Sequence, residues 1–314
     1  MSHMAVTVCV NDLADLNDAL APFDMATDVE PYRRYLVPWP TKSRTGSGLL
    51  SMSGLNPDTA TWARLGSWAR EHHQTSCGVG ELPADGTGCP SCGLEAVHLD
   101  ADGDAYLRGV KNPAGKWNAW QVGGKFTNML ALQPGVNGLS QVIRRSADSD
   151  PFYCDGAAWG LVETARVSAQ ARRVANRRWA HWQQVTEDLA PTKTLRNLLS
   201  EAQTPGQREA ASARYFSQPA VQAVKGSVAL GLRWVVDPVD EFSDCEKEEF
   251  VQGQINLALV GGALLTTDRR WLSPSTQSRP DVSASRARDY ARVAADYLRN
   301  VDPRTWVLVV DVEF

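Results

Sequence analysis

The 314-residue sequence lacks any apolar run near the roughly 20 residues that a membrane-spanning helix needs. It also lacks the basic-then-apolar pattern of a secretory signal at its N-terminus. Neither sign of charge dominates, because the formal net charge is only -4. Such a balance argues against a surface that attracts nucleic acid or anionic lipid as a whole. We therefore expect a globular protein with no membrane partner, in which any basic binding surface is local.

Known catalytic motifs are missing as well. Histidine is scarce, with five residues, and the sequence has no Ser-His-Asp order, HExxH helix or Walker loop. The pair Gly123-Gly124 does not precede a helix at the spacing of a phosphate-binding loop. These absences weaken the case for an enzyme. Residues 1–4 are typical of a cloning-tag remnant and are left out of the predicted fold.

Cysteine is too sparse for a secreted disulfide framework, with six residues in the whole chain. A reducing cytoplasm fits this number better. The CxxC at residues 89–92 has the gap that lets two thiolates reach one tetrahedral ion, which predicts a Zn²⁺ knuckle within residues 72–98. The alternatives are unpaired thiols in a glycine-rich loop and a redox disulfide. The candidate metal ligands are Cys77, Cys89, Cys92 and His73, with His72 or His98 as substitutes for His73.

The densest cluster of aromatic and basic residues follows the knuckle. Residues 117–122 alternate in the manner of a strand that ends at the glycine pair, with one tryptophan on each side. Large aromatics on a strand are typical of a core, and paired glycines are typical of a bulge. The alternative is a binding site, for which the candidate ligand-binding residues are Lys116, Trp117, Trp120 and Lys125.

A long helical pattern over residues 163–190 carries the second basic group. Spacings of three to four residues place several of its arginines near one face. A solvated basic face, a surface for an acidic protein and a surface for nucleic acid all explain such a run. The candidate partner-binding residues are Arg172, Arg173, Arg177, Arg178 and Trp182.

The order of elements predicts an α+β fold with a ferredoxin-like antiparallel sheet, in which the strand at Val6–Val10 lies beside the terminal strand at 305–312. Helices that begin at Asp12 and at Ser283 or Ser285 would cover one face. The α+β core would comprise residues 5–162 and 227–314, with the knuckle and a helical segment at 163–226 as insertions. Further predicted elements are a loop at 41–56, a helix at 56–72, a hairpin at 98–110 and strands at 152–162, 228–236 and 255–266. The almost wholly apolar terminal strand is typical of a buried central strand. The alternative is an edge strand that pairs with a second copy to give a homodimer.

The stretch from Asn112 to Phe126 resembles a family of uncharacterised phage and prophage proteins, many from actinobacterial viruses. The family pattern is a CxxC knuckle followed by Asn-Pro, Lys-Trp-Asp-Trp and Gly-Gly-Arg-Trp. It is matched here by Cys89 and Cys92, Asn112-Pro113, Lys116-Trp117-Asn118 with Trp120, and Gly123-Gly124-Lys125-Phe126. Asn118 replaces an acid, Lys125 an arginine and Phe126 a tryptophan, which weakens any proposal of acid–base chemistry or bidentate anion capture here. The resemblance implies a phage setting and supports the knuckle.

These observations together predict a phage- or prophage-type accessory or regulatory protein in the cytoplasm of the host bacterial cell. It would engage a protein or nucleic-acid partner as a recombination accessory factor, a host-takeover protein or a counter-defence protein. One alternative is a zinc-dependent nucleotide-acting enzyme with an open zinc site and Glu81 or Glu95 as base. Another is a protein that sequesters a small molecule or nucleotide through Trp117, Trp120 and Lys116.

Overall fold

The fold is described from a computed structural model. It describes residues 3–36, 61–78, 81–84, 89–136, 140–144, 150–202, 204–225, 239–243, 245–274 and 283–313. Three predicted elements lie wholly or partly outside these residues. They are the loop at 41–56, the start of the helix at 56–72 as far as residue 60, and the strand at 228–236. The chain forms two compact units, one of Leu20–Trp117 and one that combines Met1–Ala19 with Asn118–Phe314.

Strands and helices are numbered in chain order. The strands are β1 (His3–Val10), β2 (Tyr32–Tyr35), β3 (His98–Leu99), β4 (Ala105–Gly109), β5 (Ala119–Val122), β6 (Leu130–Ala131), β7 (Val142–Ile143), β8 (Tyr153–Cys154), β9 (Gly156–Ala158), β10 (Ala263–Leu265), β11 (Trp271–Leu272) and β12 (Trp306–Glu313). The α-helices are α1 (Leu16–Leu20), α2 (Trp62–Cys77), α3 (Thr164–Thr186), α4 (Leu195–Ser200), α5 (Pro205–Phe216), α6 (Pro219–Lys225), α7 (Asp240–Ser243), α8 (Lys247–Val260) and α9 (Ala284–Asn300). Short 3₁₀ helices occupy Leu13–Asp15, Ala21–Phe23, Gly124–Phe126 and Trp159–Leu161.

The Leu20–Trp117 unit packs α2 against a three-stranded antiparallel sheet with the strand order β2-β4-β3. Trp62 and Leu65 of α2 meet Ala105 and Leu107 of β4 in a buried cluster. The predicted hairpin at 98–110 is present as β3 and β4. Its turn is held by Asp100, whose carboxylate accepts backbone N–H groups from two later turn residues at 3.0 and 2.8 Å.

The other unit is built on a seven-stranded sheet in which β1 and β12 are central neighbours. They pair antiparallel along their whole length, from His3 opposite Glu313 to Val10 opposite Trp306, as predicted. β1 also pairs in parallel with β10, so the sheet is mixed rather than wholly antiparallel. The predicted mixture of α and β structure is confirmed, whereas this strand order does not confirm the ferredoxin-like arrangement. His3 and Met4, assigned above to a tag remnant, form the start of β1.

The terminal strand β12 is a central strand of the sheet, as its apolar sequence predicts, and not the edge strand that pairing with a second copy would need. β1 covers one side of it, while β9 pairs with its first half and β5 with its second half on the other side. Its backbone hydrogen-bonding groups are therefore used within the sheet. The reasoning that led from an exposed terminal strand to a homodimer loses its premise.

One face of this sheet is covered by α9, which begins after the cap Ser283 as predicted. Tyr290, Ala294 and Leu298 of α9 pack with Val307 and Val309 of β12 in the largest buried cluster. The predicted helix after Asp12 is split, because Asp12 caps a 3₁₀ turn that only then leads into α1.

The described part of residues 163–226 is mainly helical, as predicted, but it shares a core with the C-terminal part of the chain. α3 packs along α8, and Trp179 lies with Phe242 and Phe250 in one cluster. The predicted strand at 255–266 is wrong for its first six residues, which belong to helix α8. Within the described residues, no helix is both long and apolar enough to cross a membrane.

Candidate metal centre

Helix α2 supplies two of the four candidate ligands because it runs further than predicted. It continues past His72 and ends at Gly78, whose left-handed backbone (φ 79°) lets its N–H cap the carbonyl of Gln74. His73 and Cys77 are four residues apart in this helix, so both side chains lie on the same face. His73 is buried there, although the last turns of α2 are otherwise mostly polar and exposed.

The other two ligands lie in the CxxC turn. The backbone N–H of Cys89 donates to the carbonyl of Leu94 at 2.9 Å, and the N–H of Gly93 donates back to the carbonyl of Cys89 at 2.7 Å. Gly93 has a left-handed backbone (φ 69°), which a side chain would strain. This closed turn holds Cys89 and Cys92 side by side, with both sulfurs on the side of α2.

The four ligand atoms of His73, Cys77, Cys89 and Cys92 all lie within 4.8 Å of one another. Sγ of Cys77 is 3.7 Å from Sγ of Cys89, and Sγ of Cys92 is 3.5 Å from Nδ1 of His73. Zinc–sulfur bonds of about 2.3 Å and zinc–nitrogen bonds of about 2.0–2.1 Å place tetrahedral ligands ~3.8 Å apart for two sulfurs and ~3.6 Å apart for sulfur and nitrogen. The sulfurs are too far apart for a disulfide, whose bond is about 2.05 Å long. These distances therefore fit the edges of a metal-binding tetrahedron.

The electrostatics of the cluster favour one thiolate in advance of any metal. Backbone N–H groups of Cys92 and Ser91 point at the sulfur of Cys89 and lower the pKa of that thiol from 9.0 to about 6. For Cys77, removal from water and hydrogen bonds with the other two cysteines raise the pKa to about 11. Negative charge on the neighbouring sulfurs also disfavours a thiolate at Cys77. A positive ion placed between the sulfurs would offset this repulsion, because it stabilises the thiolate form of every cysteine ligand.

A small apolar cluster lies behind the ligands. Ala69, Leu82 and Leu94 are buried with Cys89, and the half-buried Trp68 packs against them. This packing fixes the CxxC turn against α2 and keeps the ligand sulfurs partly shielded from water.

The substitutes for His73 lie elsewhere. The ring of His72 stacks on Trp68 at 5.0 Å, and its Nε2 is 3.2 Å from the hydroxyl of Ser76. The ring of His98 stacks on Tyr106 at 5.3 Å. Of the proposed catalytic bases, Glu95 forms an ion pair with Arg34 at 2.9 Å, and Glu81 is exposed.

The first tryptophan of the aromatic stretch is part of a core. Trp117 is fully buried, and its ring lies 5.8 Å from that of Phe23. Its carbonyl accepts the N–H of Met25, while the amide of Asn112 donates to the carbonyls of Pro22 and Asp24, each at 2.8 Å. The Asn-Pro and Lys-Trp elements thus close the Leu20–Trp117 unit, and a buried Trp117 ring is not available to a ligand. Lys116 and Trp120 are half-buried, whereas Lys125 is exposed.

The glycine pair is explained by two carboxylates of the larger unit, which the sequence patterns did not reveal. Asp155 accepts the N–H of Asn128 at 2.7 Å, and Asp311 accepts the N–H of Lys125 at 2.9 Å. Gly123 and Gly124 both have left-handed backbones, and an added Cβ would lie 2.7 Å from Asp155 and 2.4 Å from Asp311 respectively. An acid within the otherwise apolar Leu-Val-Val-Asp strand was the available signal. These glycines serve a turn held between two carboxylates.

The candidate partner-binding residues of α3 fall into two groups. Arg172, Arg173 and Arg177 are exposed. Arg178 instead forms an ion pair with Glu241 at 2.8 Å and lies over the rings of Phe242 and Phe250. Trp182 stacks on Phe242 with ring centroids 5.0 Å apart. Arg178 and Trp182 therefore act inside the fold, and the first three arginines are left for a partner.

Comparison of the chain with protein-family models, with curated proteins and with solved structures finds no match in any of the three. The resemblance to the phage family therefore stays a prediction, and the metal centre is argued from its geometry alone.

Proposed function

We propose that the chain is a binding protein whose Leu20–Trp117 unit is held together by one structural Zn²⁺ ion. The observation that carries this proposal is the group of His73, Cys77, Cys89 and Cys92, with ligand atoms within 4.8 Å of one another. Three sulfurs and one imidazole are a set that zinc prefers over calcium or magnesium, which take oxygen ligands. The ion would join the end of α2 to the CxxC turn, two segments that also meet in a small apolar cluster.

The same ligand set argues against zinc-dependent catalysis. Catalytic zinc sites keep a position for water or substrate, whereas four protein ligands fill a tetrahedron. Glu95, one of the two bases considered for an enzyme, is paired with Arg34. We therefore favour a structural ion over an open site in a nucleotide-acting enzyme. The sequestering alternative is weakened by the burial of Trp117.

We further propose that the protein is a phage- or prophage-type accessory or regulatory factor that works in the cytoplasm of a bacterial host. Support comes from the sequence resemblance and from the six cysteines, none of which forms a disulfide. Helix α3 offers a partner surface, because it carries five arginines and no acidic residue within a chain of net charge -4. Arg166, Arg173 and Arg177 are seven and four residues apart and lie along one exposed stripe, with Arg172 beside it.

Metal analysis of the purified protein tests the first part. We expect one zinc per chain, a tetrahedral thiolate spectrum after replacement by Co²⁺, and loss of both in Cys92→Ser. Cys245→Ser is the matched control, since Cys245 lies in the other unit and is not one of the four candidate ligands. A chain without zinc, or a Cys92→Ser protein that keeps it at full occupancy, would contradict the structural-zinc proposal.

Affinity capture from phage-infected or lysogenic cells, followed by mass spectrometry, tests the second part. We expect the triple variant with Gln at Arg172, Arg173 and Arg177 to lose the captured partner while retaining zinc. A control with Gln at Arg270, Arg292 and Arg304 removes the same charge from arginines that pair with neighbouring aspartates. Equal capture by both triple variants would show that α3 is not the partner surface.

A further inference from the structure

The three-stranded sheet of the Leu20–Trp117 unit has one buried and one exposed face. Ala105 and Leu107 of β4 point into the core with α2. Tyr106 and Arg108 alternate with them and point the other way. Residues directly opposite each other in a sheet share a face, so Arg33 and Tyr35 of β2 join this outer face. His98 of β3, opposite Tyr106, completes it.

Three aromatic rings cross this outer face in a row, one from each strand. The rings of Tyr35 and Tyr106 are 5.8 Å apart, and those of His98 and Tyr106 are 5.3 Å apart and stacked. Tyr35 is 53% exposed although it is a large aromatic side chain. A row of solvent-facing rings on a flat sheet offers stacking surfaces to planar ligands.

Two arginines lie beside the rings, and the repulsion between their charges destabilises the sheet. Arg33 and Arg108 are directly opposite each other on β2 and β4, and both are exposed. Like charges at such a position destabilise a sheet. The guanidinium of Arg33 lies 5.0 Å over the ring of Tyr106. Asp100 interacts with Arg33 and with the hydroxyl of Tyr35, but its carboxylate also holds the β3–β4 turn. An anion bound between the two arginines would relieve their repulsion.

We propose that this face binds single-stranded nucleic acid. A base would stack on the exposed ring of Tyr35, and backbone phosphates would lie against Arg33 and Arg108. The inference rests on the proposed role of the chain as a binding protein and names the ligand. An acidic peptide would satisfy the arginines but leave the rings unused. A duplex would present its phosphates but not the faces of its bases.

The test measures binding of the full-length protein to fluorescent 12-nucleotide oligothymidine and oligouridine by anisotropy at low salt. A 12-base-pair duplex and polyglutamate serve as competitors. We expect both single strands to bind, with the ratio of their affinities telling DNA from RNA as the natural ligand. Tyr35→Leu should weaken binding by roughly 5- to 150-fold, because stacking on one ring is worth about 1–3 kcal/mol per base. Tyr35→Phe keeps the ring and should bind nearly as well as the parent protein.

Arg108→Gln should also weaken binding and lower the slope of log affinity against log salt by ~0.7, as expected for one lost phosphate contact on a single strand. Arg70→Gln, on the exposed side of α2, removes the same charge and should leave affinity and slope unchanged. The inference is overturned if neither single strand binds, if the duplex or polyglutamate competes as well as the single strand, or if Tyr35→Leu binds as tightly as Tyr35→Phe.

Zinc content measured on the same samples separates this inference from the proposed function. A protein that holds zinc but binds no single strand overturns the inference alone. A protein that holds no zinc overturns the structural-zinc proposal, whatever the oligonucleotide result. Tyr35→Leu changes an exposed side chain away from the four metal ligands, so its zinc content should match that of the parent protein.

Discussion

Arg178 gives the most direct test of whether a basic residue of α3 stabilises the fold or is free to contact a partner. Its guanidinium is 13% exposed and forms an ion pair at 2.8 Å with Glu241, which is 15% exposed. It also donates to the side chain of Gln254 at 3.0 Å and lies over two phenylalanine rings. The next residue along the chain, Arg177, is exposed to solvent. Arg178→Ala and Arg177→Ala therefore remove the same group from neighbouring positions with opposite surroundings.

The expected loss follows from what Arg178→Ala leaves behind. Glu241 would keep a charge in a mostly buried place without its cation, and breaking such a pair costs about 3–5 kcal/mol. Because both side chains keep some contact with water, we expect the cost at the lower end of this range. Arg178→Ala should therefore lower the free energy of unfolding by roughly 3 kcal/mol. Arg177→Ala should change it by no more than about 0.5 kcal/mol, as is usual for a surface substitution.

Urea unfolding followed by far-ultraviolet circular dichroism measures the difference, since α3, α8 and α9 dominate the helical signal. With a slope of about 1–3 kcal/mol per molar urea, Arg178→Ala should lower the midpoint by ~1 M or more. The double variant Arg178→Met/Glu241→Gln removes both charges and should be more stable than Arg178→Ala. Equal midpoints for Arg178→Ala and Arg177→Ala, or a double variant less stable than Arg178→Ala, would refute this account of the helix.

Three further predictions concern the glycine turn and the thiols. In urea unfolding, Gly124→Ala should destabilise the larger unit well beyond Gly135→Ala. Both positions have a positive φ, but only at Gly124 would an added Cβ meet another side chain. Equal losses of stability would mean that backbone strain alone matters. Alkylation followed by mass spectrometry should leave Cys9 and Cys154 unmodified in the native protein, since burial raises the pKa of each thiol to about 12; modification of either one before unfolding would contradict their placement. In metal-free protein, the thiolate absorbance of Cys89 should appear near pH 6 rather than 9.0, because its pKa is lowered to about 6. Zn²⁺ uptake should therefore weaken as the pH falls through about 6, because the thiolate is then protonated. Cys89→Ser should abolish that step, and a first thiolate step near 9.0 in the parent protein would show that its backbone N–H groups do not act as described.

Elements with a clear local pattern were predictable from the sequence. The β-rich run at the start and the apolar run near the end form β1 and β12, and the period of apolar residues located α3 and α9. Helix α8 was misassigned because it packs against both α3 and α9, so its buried positions are spread around the helix and form no single 3.6-residue stripe. The parallel pairing of β1 with the three-residue β10 has no local signal at all.

The metal ligands were predictable because cysteine spacing is a chemical signal that survives without structural context. The end of α2 was not, since the polar residues between His73 and Cys77 show no apolar period. The different roles of Arg177 and Arg178 were also hidden. Spacing places both on a helix, but the acid that holds Arg178 lies 63 residues further along the chain.

The pairing of β1 with β12 has a consequence for biosynthesis. His3 and Asp311, whose side chains meet at 2.8 Å, are 308 positions apart. Because synthesis runs from the N-terminal to the C-terminal side, β1 leaves the ribosome before β12 and cannot pair with it until the residues between them have been made. The Leu20–Trp117 unit is contiguous in sequence, so we expect it to fold before β12 is made. We expect chaperones to bind the unfinished chain at β1 and to release it only when β12 emerges.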